Sequence, residues 1–437
     1  MGHRRRRAVD DTARSAAAEL GVAYHEAPND SMVGELLDGV RLLAPSPGVP
    51  ESHLVVTGAA RREVPIRSEI DLAWEWEQQR PSGPRPMLAV TGTDGKTTTT
   101  LLTVEMLRAA GLRSVDAGNT DTPLVTAIED DSYDAFVVEC TSFRLAFTQV
   151  FRPVAAVWLN LAEDHQDWHA SMDTYRAAKA RMWRFQSPDD TAIGFAADPI
   201  VLGELSLAPG RHRTFGLSDA DYRVESGWLM GPTGRIAPVS AMARSLPHDL
   251  TNALAASALV LESGLADRDA VTRALGSFRA PAHRLQQVGE RDGIRYFSDS
   301  KATTPHAVQT ALRAFDSVVL IAGGKNKGLD LAPLASEPQR MRAVVAIGAS
   351  ADLVARTFDG ICPVVEAGSM AEAVSLATGL ARSGDVVLLS PGCASFDWYS
   401  GYPARGDDFV ARVEDLLAQP GQPAQPVPAT SPHEEPR

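Results

Sequence analysis

The chain has 437 residues, 44% hydrophobic and 22% charged, the mixture of a globular protein with real cores and, by length, roughly two to four domains. Its 42 basic and 55 acidic residues leave a formal charge of −13, which argues against nucleic acid as a main partner. Three cysteines (Cys140, Cys362 and Cys393) without metal-site spacing fit a reducing, cytoplasmic setting, and no apolar run is long enough for membrane insertion.

In chain order, the opening "MGHRRRRAVDDTARSAAAEL" carries basic residues without an apolar core behind them, so it does not read as a secretory signal. A first block runs to the linker-like "QQRPSGPRP" (78–86). The second starts with the short apolar strand Met87-Leu88-Ala89-Val90 and continues to about Ala280. There, apolar runs such as "DAFVVEC" (134–140) and "AAVWLNL" (155–161) alternate with helical patterns, among them "TTTTLLTVEMLRAA" before Gly111. That alternation predicts a buried parallel sheet.

The third block, about 281–417, repeats this grammar. "SVVLIAGG" (317–324), "AVVAIG" (343–348) and "DVVLLSPG" (385–392) each end a strand in glycine. "TTPHAVQTALRAF" predicts a helix with Thr304 as N-cap and Pro305 at its first position. The final residues, 418–437, are proline-rich and are expected to form a disordered tail. The resulting expectation is three α/β domains, 1–85, 86–280 and 281–417.

"VTGTDGKTTTT" (90–100) places a strand, a glycine-flanked turn and a helix start in succession. Its spacing is shorter than the usual G-x-x-x-x-G-K-[ST] loop. Gly92, Thr93, Asp94 and Gly95 let backbone amides approach a phosphate, Lys96 supplies a cation, and Thr97 and Thr98 supply hydroxyls, Thr97 for Mg²⁺. Glu139 closes the strand "FVVEC", and Glu163, Asp164 and His165 follow the next strand. At the carboxyl ends of a parallel sheet such residues are metal-ligand candidates. Lys179, in "MDTYRAAKARMWRF" with Asp173 as the expected cap, reads by spacing alone as a solvated charge.

Together these residues resemble the Mur ligase family, ATP-dependent amide ligases of peptidoglycan assembly, whose loop is T-G-[ST]-[ND]-G-K-[ST]-[ST]. The resemblance spans about Asp38 to Leu417 and implies a truncated Rossmann-like N-terminal domain, a central P-loop ATPase-like domain and a C-terminal Rossmann-like domain. "GNTDTP" (118–123) implies Asn119 near a sugar-nucleotide substrate. The segment "LLAPSPGVPES" (42–52) resembles A-S-P-G-I and implies the same for Ser46, Pro47 and Gly48. "ECTSFRL" resembles E-x-S-S-F-Q-L, implying Glu139 as a Mg²⁺ ligand. "NLAEDHQDWH" implies His165 at a second Mg²⁺, and "YRAAKARM" implies a carbamylated Lys179 as a further ligand. The resemblance thus reverses the solvated reading of Lys179 and places Lys96, His165 and Lys179 in catalysis.

Asn252 in "PHDLTN", Arg284 in "APAHRLQ" and Asp299 in "SDSKATTP" are implied at ATP. Lys301, Thr303, Lys327, Ser395, Phe396 and Tyr402 are implied at an amino-acid substrate. For Cys393 the plain reading is a packed small residue, with no nearby base to activate it. The implied reaction is addition of D-glutamate to UDP-N-acetylmuramoyl-L-alanine through an acyl phosphate, by a monomer using ATP and Mg²⁺. Two alternatives stay open: a related ligase using L-glutamate or another acid, and a nucleotide-binding regulator without turnover.

Asp249, Thr304 and Arg144 depart from the family pattern, which has Asn, Asn and Gln there. At the front, the family's first strand and glycine-rich uridine-nucleotide loop have no counterpart before "AVDDTARSAAAELG". The expectation is that both lie upstream of the given start.

Overall fold

The computed structural model describes residues 14–26, 28–165 and 168–418 and divides the chain into two compact units, Met1–Arg279 and Ala280–Arg437. The opening "MGHRRRR" and the expected tail beyond Ala418 lie outside the described residues.

In the first unit six strands form one parallel sheet in the order β2-β3-β1-β4-β5-β6. They are β1 (Met87–Thr91), β2 (Ser114–Gly118), β3 (Ala135–Glu139), β4 (Ala155–Trp158), β5 (Thr191–Phe195) and β6 (Arg211–Phe215). Each face has its own core. Leu88 and Val90 of β1 pack into one, with the helices Lys96–Ala109 and Pro247–Glu262; Met87 and Ala89 pack into the other. Burial on both faces is why the central strands β1, β3 and β4 read as continuous apolar runs, whereas β6 at the sheet edge is RHRTF and partly exposed. β4 ends sooner than its apolar run predicts, so Asn160 and Leu161 leave the sheet and become loop. β1 lies between β3 and β4, with Val90 beside Glu139 and Thr91 beside Trp158. The loops after these three strands therefore emerge together at one edge, where open parallel sheets collect ligands.

The segment ahead of Met87 is mainly helical, with Leu43 and Ile66 joined in a parallel bridge. The Asp71 carboxylate ties it to the sheet domain. Its Oδ1 accepts the backbone N–H groups of Gln149, Val150 and Phe151 at 3.0, 2.8 and 2.8 Å, while Arg67 pairs with Oδ2. Arg144, a departure from the family pattern, donates to Glu69 Oε2 at 2.6 Å and so joins the same two segments. An antiparallel meander of β7 (Arg223–Glu225), β8 (Trp228–Gly231) and β9 (Gly234–Pro238) flanks the helix Arg268–Ser277.

Asp249, the second departure, sits in the first turn of Pro247–Glu262. Arg244 grips it through Nε and Nη2, each at 2.7 Å, and Leu246 N–H donates to Oδ2 at 3.1 Å. Burial pushes its carboxyl up, but hydrogen bonds from His248 and Arg244 prevail and hold it below the ordinary 3.8. Its stabilisation is therefore fully present above that value and is lost as pH falls through the lowered one. Asp249→Ala is expected to cost about 2–3 kcal/mol at neutral pH. Urea unfolding checks this, and the gap between variant and native should close in acid.

The second unit carries β10 (Gln286–Arg291), β11 (Ile294–Ser298), β12 (Val318–Gly323), β13 (Met341–Ile347), β14 (Val364–Ala367) and β15 (Val386–Gly392). Their order is β10-β11-β15-β12-β13-β14; β10 alone runs antiparallel, paired with β11 through an Asp292-Gly293 turn. Thr304 caps Pro305–Leu312 as the sequence predicts, accepting from Ala307 N–H at 3.3 Å. Ser298 pairs with Leu389 and Gly323 with Gly392, which brings the loops after β11, β12 and β15 to one edge.

Candidate nucleotide and amino-acid sites

In the first unit, Gly92 to Gly95 form the loop between β1 and the helix Lys96–Ala109. No side chain caps this helix, so its first amides and its positive end face the loop. Gly95 is the N-cap with φ 82°, and a Cβ there would lie 2.8 Å from Asn252 Oδ1. Only glycine fits both constraints. Asn252 Oδ1 in turn accepts from the Thr99 hydroxyl at 3.2 Å, which brings this distant residue onto the loop.

Asn160, just past β4, holds the loop from the other side. Its Oδ1 accepts the N–H groups of Thr93 and Asp94, both at 2.9 Å, and its Nδ2 donates to Asp94 O at 3.2 Å. Asn160 opens the N-x-x-x-D-H pattern, yet sequence reasoning singled out only the carboxylates and histidine after it. The Thr93 hydroxyl lies 3.2 Å from the Tyr175 hydroxyl and receives Ala162 N–H at 2.9 Å.

Two lysines meet on one carbonyl. Lys96 Nζ donates to Gly92 O at 2.9 Å and Thr93 O at 2.8 Å; Lys179 Nζ donates to the same Gly92 O at 2.8 Å. Lys179 is 1% exposed and stands 4.6 Å from the Tyr175 ring centre, so it is no solvated surface charge. Burial, reinforced by the Lys96 ammonium, drives its amine well below the usual lysine value against the opposing pull of Asp164 and Asp94. The expected Asp173 cap of its helix is not observed. Ser171 is the N-cap in a reciprocal capping box with Thr174, and Asp173 sits in the first turn. Both residues suit a helix start, and the capping-box partner decided between them.

Glu139, at the end of β3, is 2% exposed. Its Oε1 accepts from Asn119 Nδ2 at 2.9 Å, whereas the buried Oε2 has no hydrogen-bond partner. His165 adopts φ 55°, with Phe143 and Tyr175 edge-on to its ring at 4.5 and 6.2 Å. Trp168 Nε1 donates to Pro47 O at 3.1 Å, linking this loop to the Ser46–Gly48 turn. Among the described residues no three His, Cys, Asp or Glu side chains converge as a ready metal cage. A cation here would rest on the spare Glu139 oxygen, the half-buried Thr97 hydroxyl and oxygens of a bound nucleotide, a donor set suited to Mg²⁺. A plain Lys179 ammonium does not fit such a cation; an oxygen-bearing derivative would.

In the second unit, Asp299 is held on both oxygens, by Leu285 N–H at 3.1 Å and the Ser390 hydroxyl at 2.8 Å. Lys301 Nζ donates to the Tyr402 hydroxyl at 3.1 Å. Lys325 and Ala394 exchange backbone hydrogen bonds of 2.8 and 3.1 Å, which zips the loops after β12 and β15 together. Ser395 is buried beside them, Arg284 and Thr303 are half-buried, Lys327 is exposed, and Phe396 stands 60% exposed. His283, next to Arg284, is buried between the Ser298 hydroxyl at 3.1 Å and Asp407 at 3.2 Å. Cys393 is buried, and burial raises its thiol, in keeping with the packing role read from sequence.

Residues 90–260 match the Mur ligase middle domain and residues 283–393 the Mur ligase glutamate ligase domain. A UDP-N-acetylmuramoylalanine–D-glutamate ligase of Frankia casuarinae is 42% identical over 92% of this chain and 85% of its own. The protein of the same name from Pelotomaculum thermopropionicum is 39% identical over 87% of this chain and 84% of its own. In fold, the chain is similar to the crystal structure of MurF ligase from Thermotoga maritima in complex with ADP. That likeness has a TM-score of 0.60 at 16% identity and covers 86% of this chain and 98% of the other.

Proposed function

This chain belongs to the Mur ligase family, and we propose that it joins D-glutamate to UDP-N-acetylmuramoyl-L-alanine at the expense of ATP. The reading is carried by likeness to ligases of that name running through both units, over the phosphate loop and the "SDSKATTP" and "LLSPGCAS" loops alike. On it, residues up to about 85 take the uridine nucleotide through Ser46, Pro47 and Gly48, joined by Asn119 of the central block. Residues 86–280 take ATP, and 281–417 take the amino acid, in a cytoplasmic monomer making peptidoglycan precursors.

The chemistry follows from the side chains. The Gly95 turn and the uncapped start of the helix after it hold the triphosphate, and Lys96, with one ammonium proton free beyond its two carbonyl bonds, stabilises charge on the γ-phosphoryl group. An alanyl carboxylate oxygen attacks γ-phosphorus and ADP leaves. The amine of D-glutamate then attacks the acyl carbon, loses its proton, and inorganic phosphate departs, leaving an amide. Bound Mg²⁺ would neutralise phosphate charge, held through Thr97, Glu139, His165 and a carbamylated Lys179. Asn252, Arg284 and Asp299 serve ATP; Lys301, Thr303, Lys327, Ser395, Phe396 and Tyr402 serve the amino acid.

Phosphate release tests the reading, with ATP, Mg²⁺ and UDP-N-acetylmuramoyl-L-alanine plus D-glutamate, L-glutamate or neither. Release requiring D-glutamate is expected; a preference for L-glutamate, or none, would count against it. The neutral Lys179 amine is the form that adds CO₂, so ¹³C-bicarbonate should give a carbamate resonance. That signal should be missing from Lys179→Arg, and its absence from the native enzyme would remove the modification.

A further inference from the structure

Arg405, in the first turn of the helix Tyr402–Ala418, is 1% exposed. Its guanidinium spans two loops. Nε donates to Ser300 Oγ at 3.0 Å and Nη2 to Ser300 O at 2.8 Å, while Nη1 donates to Cys393 O at 3.1 Å. Ser300 Oγ donates onward to Tyr402 O at 2.8 Å, so the loop after β11, the loop after β15 and the last helix are fastened at one point. Room for the fork comes from the loop after β12, where Gly324 sits at φ 130° and a Cβ would approach Nη1 to 3.1 Å.

Among the described residues no carboxylate lies within 4 Å of this guanidinium. Burial draws it down to about 10, with Asp397 as the main opposing charge, so it remains cationic at neutral pH and uncompensated at close range. A buried charge is a poor choice where loops merely need fastening, because neutral packing does that at less cost. The charge is accounted for when the neighbouring ligand is itself anionic.

Resting on the ligase reading above, we propose that Arg405 is a positioning residue of the amino-acid site. Its fork sets the Ser300–Thr303 loop against the Cys393–Phe396 loop, so that Lys301, Tyr402 and Ser395 stand ready for a substrate with two carboxylates. Lysine cannot replace it, having a point charge without the planar fork that reaches Ser300 and Cys393 together.

The test uses the full chain with Arg405→Lys, and with Ser300→Ala, which removes one acceptor and keeps the charge. The readouts are the KM for D-glutamate, the KM for ATP, and trapping by hydroxylamine without glutamate. In the trap the hydroxylamine nitrogen attacks the acyl phosphate, releasing phosphate and leaving a hydroxamate. Arg405→Lys is expected to raise the KM for D-glutamate roughly 10- to 100-fold, with hydroxamate yield and the KM for ATP near native. Ser300→Ala should move the same parameter in the same direction, less far. A KM for D-glutamate within about twofold of native in both variants would overturn the assignment. So would loss of hydroxamate in step with glutamate turnover in both, since Arg405 would then support the unit as a whole. No hydroxamate from the native enzyme would instead tell against the ligase reading.

Discussion

Lys96→Ala is expected to lower kcat by roughly 10²–10³ while leaving the fold intact. The ammonium lies over its own loop, bonded to the carbonyls of Gly92 and Thr93, at the positive end of a helix that no side chain caps. The uncapped helix start favours negative charge beside it, and the bonds lost on truncation are replaceable by water at a half-buried position. The stability cost should stay near 1 kcal/mol. Steady-state phosphate release and thermal melting measure the two quantities. A kcat within tenfold of native would mean that the loop does not carry the transferred phosphate.

A comparable fall in rate is expected for Glu139→Gln, with the opposite sign in stability. One carboxylate oxygen is satisfied by Asn119 and the other is buried without a partner. Such an oxygen is costly to the empty protein and useful only when a cation arrives. Glutamine can keep the Asn119 bond through its carbonyl but sheds the charge. The variant should therefore need roughly 10-fold more Mg²⁺ for half-maximal rate and melt no lower than native without nucleotide. A clear loss of melting temperature with an unchanged Mg²⁺ response would make Glu139 a structural residue.

Much of the central and C-terminal folds was legible because β1, β3, β12, β13 and β15 are short, apolar and closed by glycine or a polar residue. The β-meander of residues 223–238 was not anticipated. Its strands are three to five residues long, with mixed burial, although "ESGW" and "PTGR" mark its turns with positive-φ glycines. The Ser171 cap was missed because Ser171 and Asp173 both suit a helix start. Asn160 and Arg405 were missed for another reason: each acts through bonds to backbone 66 and 105 positions away. Both stand inside family patterns, but local spacing does not name the distant backbone that either side chain holds.

The chain's own order of residues determined the parallel α/β grammar, the shortened phosphate loop with Lys96, and the family resemblance through Glu139, His165 and "SDSKATTP". These depend on neighbours in sequence, where strand periodicity, glycine turns and helix starts are set. Tertiary structure alone decided that Lys179 is buried and shares a carbonyl with Lys96, that Glu139 keeps a spare oxygen, and that Arg405 lies charged and buried between two loops. Solvation and hydrogen-bond partnership belong to surfaces that meet only after the sheets have formed, and those two properties give an ionisable side chain its chemistry.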